Sequence, residues 1–361
     1  MKPSALDYLV CNACYGRLSL EIEESIVLSE GKEPEILSGV LKCLSCKKQF
    51  PVRSGVPRFV DEKRSSQQNL ETGQRFGIAW KEFPRLAASY RDQFYDWMYP
   101  VDAAFVKDKI VLEAGCGKGR HAQLIAEAGA AQIFAIDIGE AVDVTYANVG
   151  HMERVHVVQS DICQLPFTQV FDFAFSLGVL HHMDVPAAGF SSIVNCLTSQ
   201  GAVCVWVYGR ENNWWLIHLI NPVRTLITAR LPAPPLKLLA FLLAVPVWAG
   251  ARFVARPYME TKKKLGWLPD LFYGHYLSYI GRFDFNEIHH IVFDHLVAPV
   301  SNYIPGEEVA GWFAQAKLTT PIIRWHNKNS WTGFASRKAP DTELMLSRVA
   351  RAVPSGNQRQ I

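Results

Sequence analysis

The alternation of apolar and polar positions divides this chain before any composition is counted. From Lys109 to Gly115, KIVLEAG is short, β-branched and apolar throughout apart from its ends and Glu113, the pattern of a strand buried on both faces. GRHAQLIAEAGA follows with apolar residues at helical spacing and closes on glycine. The alternation then repeats. QIFAID, VHVVQSDI, FDFAFSLGVLHH and GAVCVWVY read as further strands, with PAAGFSSIVNCL a helix between the last two. Much later Val309, Trp312, Phe313 and Ala316 form one face of a helix whose first turn holds Glu307 and Glu308. TTPIIRWH and SWTGFASRK close the pattern as two strands. Strands alternating with helices predict an α/β, Rossmann-like domain of seven strands.

The first residues read differently. DYLVCNAC and GVLKCLSCKKQF are short strand-like runs, each carrying a C-x2-C pair. Cys11, Cys14, Cys43 and Cys46 can supply four thiolates to one tetrahedral Zn²⁺, which leaves the metal no open position and makes it structural. Lys47 and Lys48 beside the second pair would lower the thiol pKa values. Residues 1–60 are therefore expected to be a small β-rich zinc ribbon. DEKRSSQQNLETGQ (61–74) is polar and free of aromatics, as a linker would be. Phe76, Trp80 and Phe83 then recur at helical spacing, so 61–100 is expected to hold a linker and N-terminal helices. The other four of the eight cysteines are scattered through apolar sequence, which suits a reducing cytosol. The opening MKPSALDYLV has no apolar core long enough for export. The net charge of +3 is too small to argue for nucleic acid by itself.

The candidate chemistry begins at Gly115, Gly117 and Gly119, between strand and helix, where an α/β sheet binds ligands. A dinucleotide fingerprint needs its third glycine three residues after the second; here it comes after two. The resulting Glu113-Ala-Gly115-Cys116-Gly117-Lys-Gly119 resembles the first motif of class I S-adenosylmethionine-dependent methyltransferases. The resemblance runs over 75–338, and SLGVLHHM and VWVYGREN look most like the ubiquinone and menaquinone type. It implies that Glu113 and the glycine loop place the methionine part of the cofactor. Asp137 would fix the ribose and Asp161 with Ile162 the adenine, with Ile138 and Leu177 also in the cofactor-binding set. The D/N-P-P-Y/F motif of methyltransferases acting on protein and nucleic-acid amines is missing; Ser176-Leu177-Gly178-Val179 stands there. The ribbon over 8–60 resembles the small zinc-ribbon activator of tRNA and protein methyltransferases, a family also found fused in front of bacterial methyltransferase domains.

A sulfonium methyl carries its own leaving group, so the protein must align the reactants, exclude water and, for some acceptors, supply a base. His181 and His182 are candidates, His181 first, with Tyr208, Asp294 and His295 facing the same cavity. His289, His290 and His295 lack a companion acid at ligand spacing, so no second metal is expected there.

Between the core (101–210) and its closing helix and hairpin (301–338) lies a helical insertion after strand five, 211–300. From Asn212 to Met259 it has no Asp or Glu, yet it carries Arg224, Arg230, Lys237, Arg252 and Arg256, and Lys262–Lys264 follow. The uncharged run Leu238–Ala251, with Pro246 inside, is too short to span a bilayer. Two readings stay open: a buried cap, or an interfacial element over 212–264 whose cations meet anionic headgroups. Both imply a small lipophilic or lipid-like acceptor and rank nucleic acid below it. A protein partner would meet the ribbon, and the chain would be cytoplasmic, at the inner face of the membrane under the second reading. The alternatives are a tRNA or protein methyltransferase and a non-catalytic cofactor-binding partner protein. Residues 339–361 read as a flexible tail.

Overall fold

The computed structural model describes residues 1–27, 33–87, 90–338 and 345–346. The expected tail, 339–361, lies outside the described residues apart from Met345 and Leu346.

The ribbon is a four-stranded antiparallel sheet in the order β1 (Leu18–Ile26), β2 (Glu35–Cys43), β3 (Gln49–Arg53), β4 (Val56–Pro57). It is packed against the main domain rather than set apart from it. Arg58 forms a bridge with Gln159 of that domain, Phe59 N donates to Gln159 O at 2.7 Å, and Tyr8 packs on Phe134 with ring centroids 5.1 Å apart. Leu41, Phe50 and Phe59 share one apolar cluster with Phe134 and Ile136. The segment expected as a linker up to Gln74 is helical from Gln67: α1 spans Gln67–Glu82. Its polar residues do not mark solvent alone, since Asn69 and Thr72 are buried and Asn69 Oδ1 accepts from Asp184 N at 2.8 Å.

After α2 (Tyr90–Trp97) and α3 (Ala103–Val106) the alternation expected from the pattern runs through β5 (Ile110–Ala114), α4 (Arg120–Glu127), β6 (Gln132–Asp137), α5 (Ala141–Val149), β7 (Val155–Gln159), β8 (Phe171–Leu177), α6 (Pro186–Asn195) and β9 (Leu197–Tyr208). These five strands are parallel, and β5, β6 and β8 are buried on both faces. The insertion follows as α7 (Asn221–Leu226), α8 (Ala233–Ala249), α9 (Arg256–Leu265), α10 (Gly274–Ile280) and α11 (Phe285–Val297). Then α12 (Gly306–Gln315), β10 (Thr319–His326) and β11 (Ser330–Ser336) complete a seven-stranded sheet in the order β10-β11-β9-β8-β5-β6-β7, with β10 and β11 antiparallel. This is the seven-stranded Rossmann-like methyltransferase architecture.

The insertion departs from its expected length limit. Pro246 does not end α8; the helical run continues through wider turns at Gly250–Ala255 and extends from Ala233 to Leu265, 33 residues. By length and apolar composition that run is enough to cross a membrane, and only 22% of its most apolar window is buried. Leu236, Ala240 and Ala244 pack inward, against α11 and its neighbours, while Leu238, Phe241, Leu242 and Val245 face solvent. α11 runs across to α1, so the insertion roofs the carboxyl ends of the parallel strands.

Candidate functional site

In the ribbon the four sulfurs of Cys11, Cys14, Cys43 and Cys46 lie within 4.8 Å of one another. Cys11–Cys46 is 3.6 Å and Cys14–Cys43 3.5 Å. A tetrahedral zinc with bonds of about 2.3 Å separates its sulfurs by about 3.8 Å. The cage therefore fits structural zinc. Lys48 does not serve the thiols as expected, for its ammonium is held by Asp61 at 2.7 Å; Lys47 donates to Leu44 O at 2.9 Å.

At the carboxyl end of β5 the chain turns through three positive φ angles, +89° at Gly115, +54° at Gly117 and +83° at Gly119. A Cβ on Gly115 would sit 2.3 Å from Val179 Cγ2, so glycine is required there for both space and conformation. Gly117 N donates to Asp137 Oδ2 at 3.1 Å and Gly139 N donates to Oδ1 at 2.9 Å. Asp137 thus straps the glycine turn to the end of β6, and each carboxylate oxygen keeps a lone pair for a ribose hydroxyl. Burial raises its pKa to about 6. Asp161 is anchored by accepting from Cys163 N at 2.9 Å.

These residues border one cavity of about 500 Å³, a size suited to a small-molecule cofactor. The structure brings Gly115, Cys116, Gly117, Asp137, Ile138, Asp161, Ile162 and Leu177 to its wall. Two of the expected cofactor residues lie behind it. Glu113 is buried with Oε1 3.1 Å from His121 Nδ1, and burial pushes its pKa well up. Gly119 caps α4 against Thr145 and Val149.

His182, Tyr208, Asp294 and His295 line the same cavity, but His181, the first choice for a base, does not. Its ring packs on Tyr208 with centroids 3.9 Å apart, and its Nδ1 receives the Tyr208 N–H at 3.4 Å. That bond puts the ring proton on Nε2 and leaves His181 no free acceptor. His182 has the opposite arrangement. Its Nδ1 lies 2.6 Å from Val300 O, so Nδ1 is the donor and the Nε2 lone pair is free. Burial lowers its pKa to about 4, so the ring is neutral at pH 7. Tyr208 stacks on His295 with centroids 5.6 Å apart, and burial keeps its hydroxyl protonated. Burial opposes the charge on Asp294, but His290, 3.3 Å away, holds its pKa below the usual value.

Several wall residues escaped the sequence reading. Arg120, one residue beyond the glycine turn, lies over Tyr90 at 4.9 Å, Trp97 at 5.6 Å and Trp80 at 5.9 Å. It has no carboxylate within 4 Å among the described residues. Lys118 is buried with Nζ on Phe83 O at 2.9 Å, and burial lowers its pKa to about 8. Trp97 from α2 and Trp206 from β9 stack 4.1 Å apart. The indole N–H groups of both, together with Gln93 Oε1 and Asp294 Oδ1, are buried without a hydrogen-bond partner. Each such group costs about 1–3 kcal/mol, so this wall is shaped for a polar ligand. The only signal in the sequence is the Lys-x-Arg that continues the glycine motif; the aromatic and amide groups meet through tertiary packing alone.

Comparison with known proteins agrees with this architecture. Residues 112–205 match the model of a methyltransferase domain and residues 2–55 that of Trm112p-like proteins. A tRNA U34 carboxymethyltransferase of Vibrio cholerae is 35% identical over 177 residues, 43% of this chain and 54% of the relative. Its namesake in Idiomarina loihiensis is 33% identical over 115 residues, 29% of this chain and 36% of the relative. The chain thus spans about half the length, or less, of these curated relatives. Among solved structures, a complex of the Haloferax volcanii Trm112 methyltransferase activator with a putative methyltransferase is 11% identical with a TM-score of 0.40, covering 72% of this chain and 97% of that one.

Two expectations are corrected here. A small lipophilic or lipid-like acceptor, with nucleic acid ranked below it, does not stand, because the relatives are named for tRNA. The missing D/N-P-P-Y/F motif speaks only to amine acceptors, and the apolar insertion suggested an apolar cavity, whereas the wall carries unpaired polar groups and a guanidinium. One face of the ribbon packs on the methyltransferase domain of its own chain. The membrane contact expected through 212–264 gains no support from these relatives. The chain joins a Trm112p-like, zinc-binding amino-terminal segment to a methyltransferase domain of the class I S-adenosylmethionine-dependent fold.

Proposed function

We propose that this chain is an S-adenosylmethionine-dependent methyltransferase acting on tRNA, in the cytoplasm where tRNA resides. One observation carries the reading: a single cavity joins the glycine turn, Asp137 and Asp161 to a neutral histidine with a free acceptor nitrogen, amid unpaired polar groups. The relatives' names supply tRNA as the substrate and uridine as the base.

In this reading Asp137 accepts the ribose hydroxyls, Asp161 and Ile162 receive the adenine, and Arg120 pairs with the amino-acid carboxylate. The donor, when bound, supplies an activated alkyl group and its own leaving group. What remains for the chain is alignment and proton transfer. Leu177 and Tyr208 flank the transfer position, and His182 Nε2 takes the proton that the acceptor loses. Asp294, His295 and the orphaned indole N–H groups supply acceptors and donors for the edge of a base. A base can reach this depth only by leaving its stack, and an unpaired loop yields one at least cost. Residues 1–60 serve as a structural ribbon, 101–210 with 301–338 as the catalytic core, and 211–300 as the roof.

The test uses S-adenosylmethionine labelled on its methyl group, bulk tRNA and the full chain, with Asp137→Ala as control. Label in ribonuclease-sensitive material that vanishes in the variant supports the reading, and the mass of the modified nucleoside identifies the methylated base. Label absent from tRNA while S-adenosylhomocysteine still binds would overturn it in favour of a non-catalytic cofactor-binding protein.

A further inference from the structure

Beside the cavity mouth three segments meet. Asn213 and Trp215 before α7, Tyr273 at the start of α10, and Asn327 and Asn329 in the β10–β11 turn all line the cavity. They are tied to one another. Tyr273 OH donates to Asn213 Oδ1 at 2.5 Å, Asn212 Nδ2 donates to Lys328 O at 3.1 Å, and Trp215 stands edge-on to Phe272 and Tyr273.

From this rim three aromatic side chains project into solvent: Trp214 is 64% exposed, Phe272 69% and Trp267 75%. Rings of that size are normally buried, so three exposed ones on the segments that flank the opening call for a covering partner. The nearby acids are already engaged, which leaves the free charge positive. Asp270 is held by Lys262 and Lys328, Glu260 by Arg256, and Glu211 accepts from Gly306 N and Trp331 Nε1. Lys263 and Lys264 are exposed with no acid within 4 Å among the described residues, and Asn212–Met259 contains no acid. The occupant must therefore offer flat apolar faces and negative charge together, and lie where it can feed the cavity. An unpaired RNA strand has both: bases stack on exposed rings while phosphates meet lysines.

We infer that the rim formed by Trp214, Phe272, Trp267, Lys263 and Lys264 is the RNA-docking surface, stacking the bases that flank the one delivered to the cavity. The inference rests on the tRNA reading above and adds to it where, and by which side chains, the loop is held. It separates two jobs: the cavity wall reads one base, and the rim holds its neighbours by stacking and charge, without regard to sequence.

The test is fluorescence anisotropy of a labelled anticodon stem-loop with uridine in its loop, titrated with the full chain across a salt series. Trp214→Ala and Phe272→Ala should each weaken binding about 5- to 150-fold at fixed salt, the range for losing one stacked base. Lys263→Glu with Lys264→Glu should lower the slope of log K against log salt by about 1.4, two single-strand phosphate contacts. S-adenosylhomocysteine affinity and Tm should stay at wild-type values in all of them, which separates lost docking from lost folding. Wild-type loop affinity in the rim variants would overturn the inference even if tRNA is the substrate. So would rim variants that keep loop binding but lose binding to phosphatidylglycerol vesicles, since the rim would then serve a lipid surface. Absence of transfer to tRNA by the wild-type chain is a separate result and would sink the tRNA reading itself.

Discussion

Glu35 joins the ribbon to the methyltransferase domain through charge, and replacing it with glutamine tests how much that junction is worth. The carboxylate is buried on β2, 2.9 Å from Lys2 Nζ, 3.2 Å from the Met1 amino group and 3.0 Å from the Tyr146 hydroxyl on α5. Lys2 Nζ continues across the junction, donating to Gly150 O at 2.8 Å and Val155 O at 3.1 Å. Burial lowers the pKa of the Met1 amino group to about 6, so at pH 7.5 it is mainly neutral and Lys2 carries the charge that Glu35 balances. Glu35→Gln keeps the shape and strands that ammonium. Breaking a buried pair this way costs about 3–5 kcal/mol. At roughly 2–4 °C per kcal/mol, a loss of about 3 kcal/mol lowers Tm by roughly 6–12 °C. The sign with pH follows from the carboxyl. Burial pushes its pKa up, but Lys2 and the amino group outweigh that and hold it below 4.5. Its stabilisation is then present above the unfolded value and lost as pH falls through the folded one, so the gap between variant and wild type should close below pH 4.5. Calorimetry at pH 7.5 and pH 4 reads both effects. Adding Lys2→Met should return more than about 1 kcal/mol, because the stranded charge is gone. A Glu35→Gln loss under about 1 kcal/mol, or losses that simply add in the double variant, would refute this account of the junction.

Four further outcomes are expected. Asp137→Asn should weaken S-adenosylhomocysteine at least about tenfold by isothermal titration calorimetry, the worth of one or two hydrogen bonds to a charged group. Because burial raises the carboxyl's pKa to about 6, wild-type affinity should fall as pH drops below that value while the affinity of the Asp137→Asn variant stays flat. His182→Gln should lower the rate of transfer about 100- to 10,000-fold with cofactor affinity intact, whereas His181→Gln should cost far less. At saturating cofactor the wild-type rate should hold until pH approaches 4, where His182 takes up a proton.

How much of this was legible in the sequence depended on how local the signal was. Strands buried on both faces announce themselves by composition, and QIFAID coincides with β6 end to end; TTPIIRWH, the half-exposed edge strand β10, is bounded as well by its β-branched and aromatic residues. The glycine turn and the cysteine pairs are short-range motifs whose spacing carries their geometry. The start of α1 was hidden because Asn69 and Thr72 look like solvent residues yet are buried against Asp184 and the cavity. The choice between His181 and His182 was beyond reach, since it turns on which nitrogen meets a carbonyl contributed by Val300, far along the chain. The polar character of the wall was hidden for the same reason: Trp97 and Trp206 look apolar in sequence, and only their stacking shows two N–H groups left over.

Removal of the zinc should be felt at the cofactor site although the metal touches none of it. Cys43 ends β2, β2 pairs with β3, β3 with β4, and Arg58 directly follows β4. Arg58 Nη1 donates to Gln159 Oε1 at 3.0 Å, Phe59 N donates to Gln159 O at 2.7 Å, and Gln159 Nε2 donates to Ile138 O at 3.0 Å. Ile138 is the cavity residue beside Asp137. Structural zinc contributes about 10–16 kcal/mol to the folding of small ribbons, far more than so short a sheet can replace. Cys14→Ser, or chelation, should therefore loosen the ribbon and release Gln159 from Arg58 and Phe59. The loop at Ile138 then loses a support worth about 1 kcal/mol, and S-adenosylhomocysteine should bind about fivefold more weakly. Arg58→Ala, with zinc retained, should reproduce part of that loss, which ties the effect to this chain of bonds rather than to general unfolding. Zinc-free protein that binds S-adenosylhomocysteine as tightly as the metal-loaded form would show that the ribbon and the cofactor site stand independently, whatever the ribbon contributes to stability.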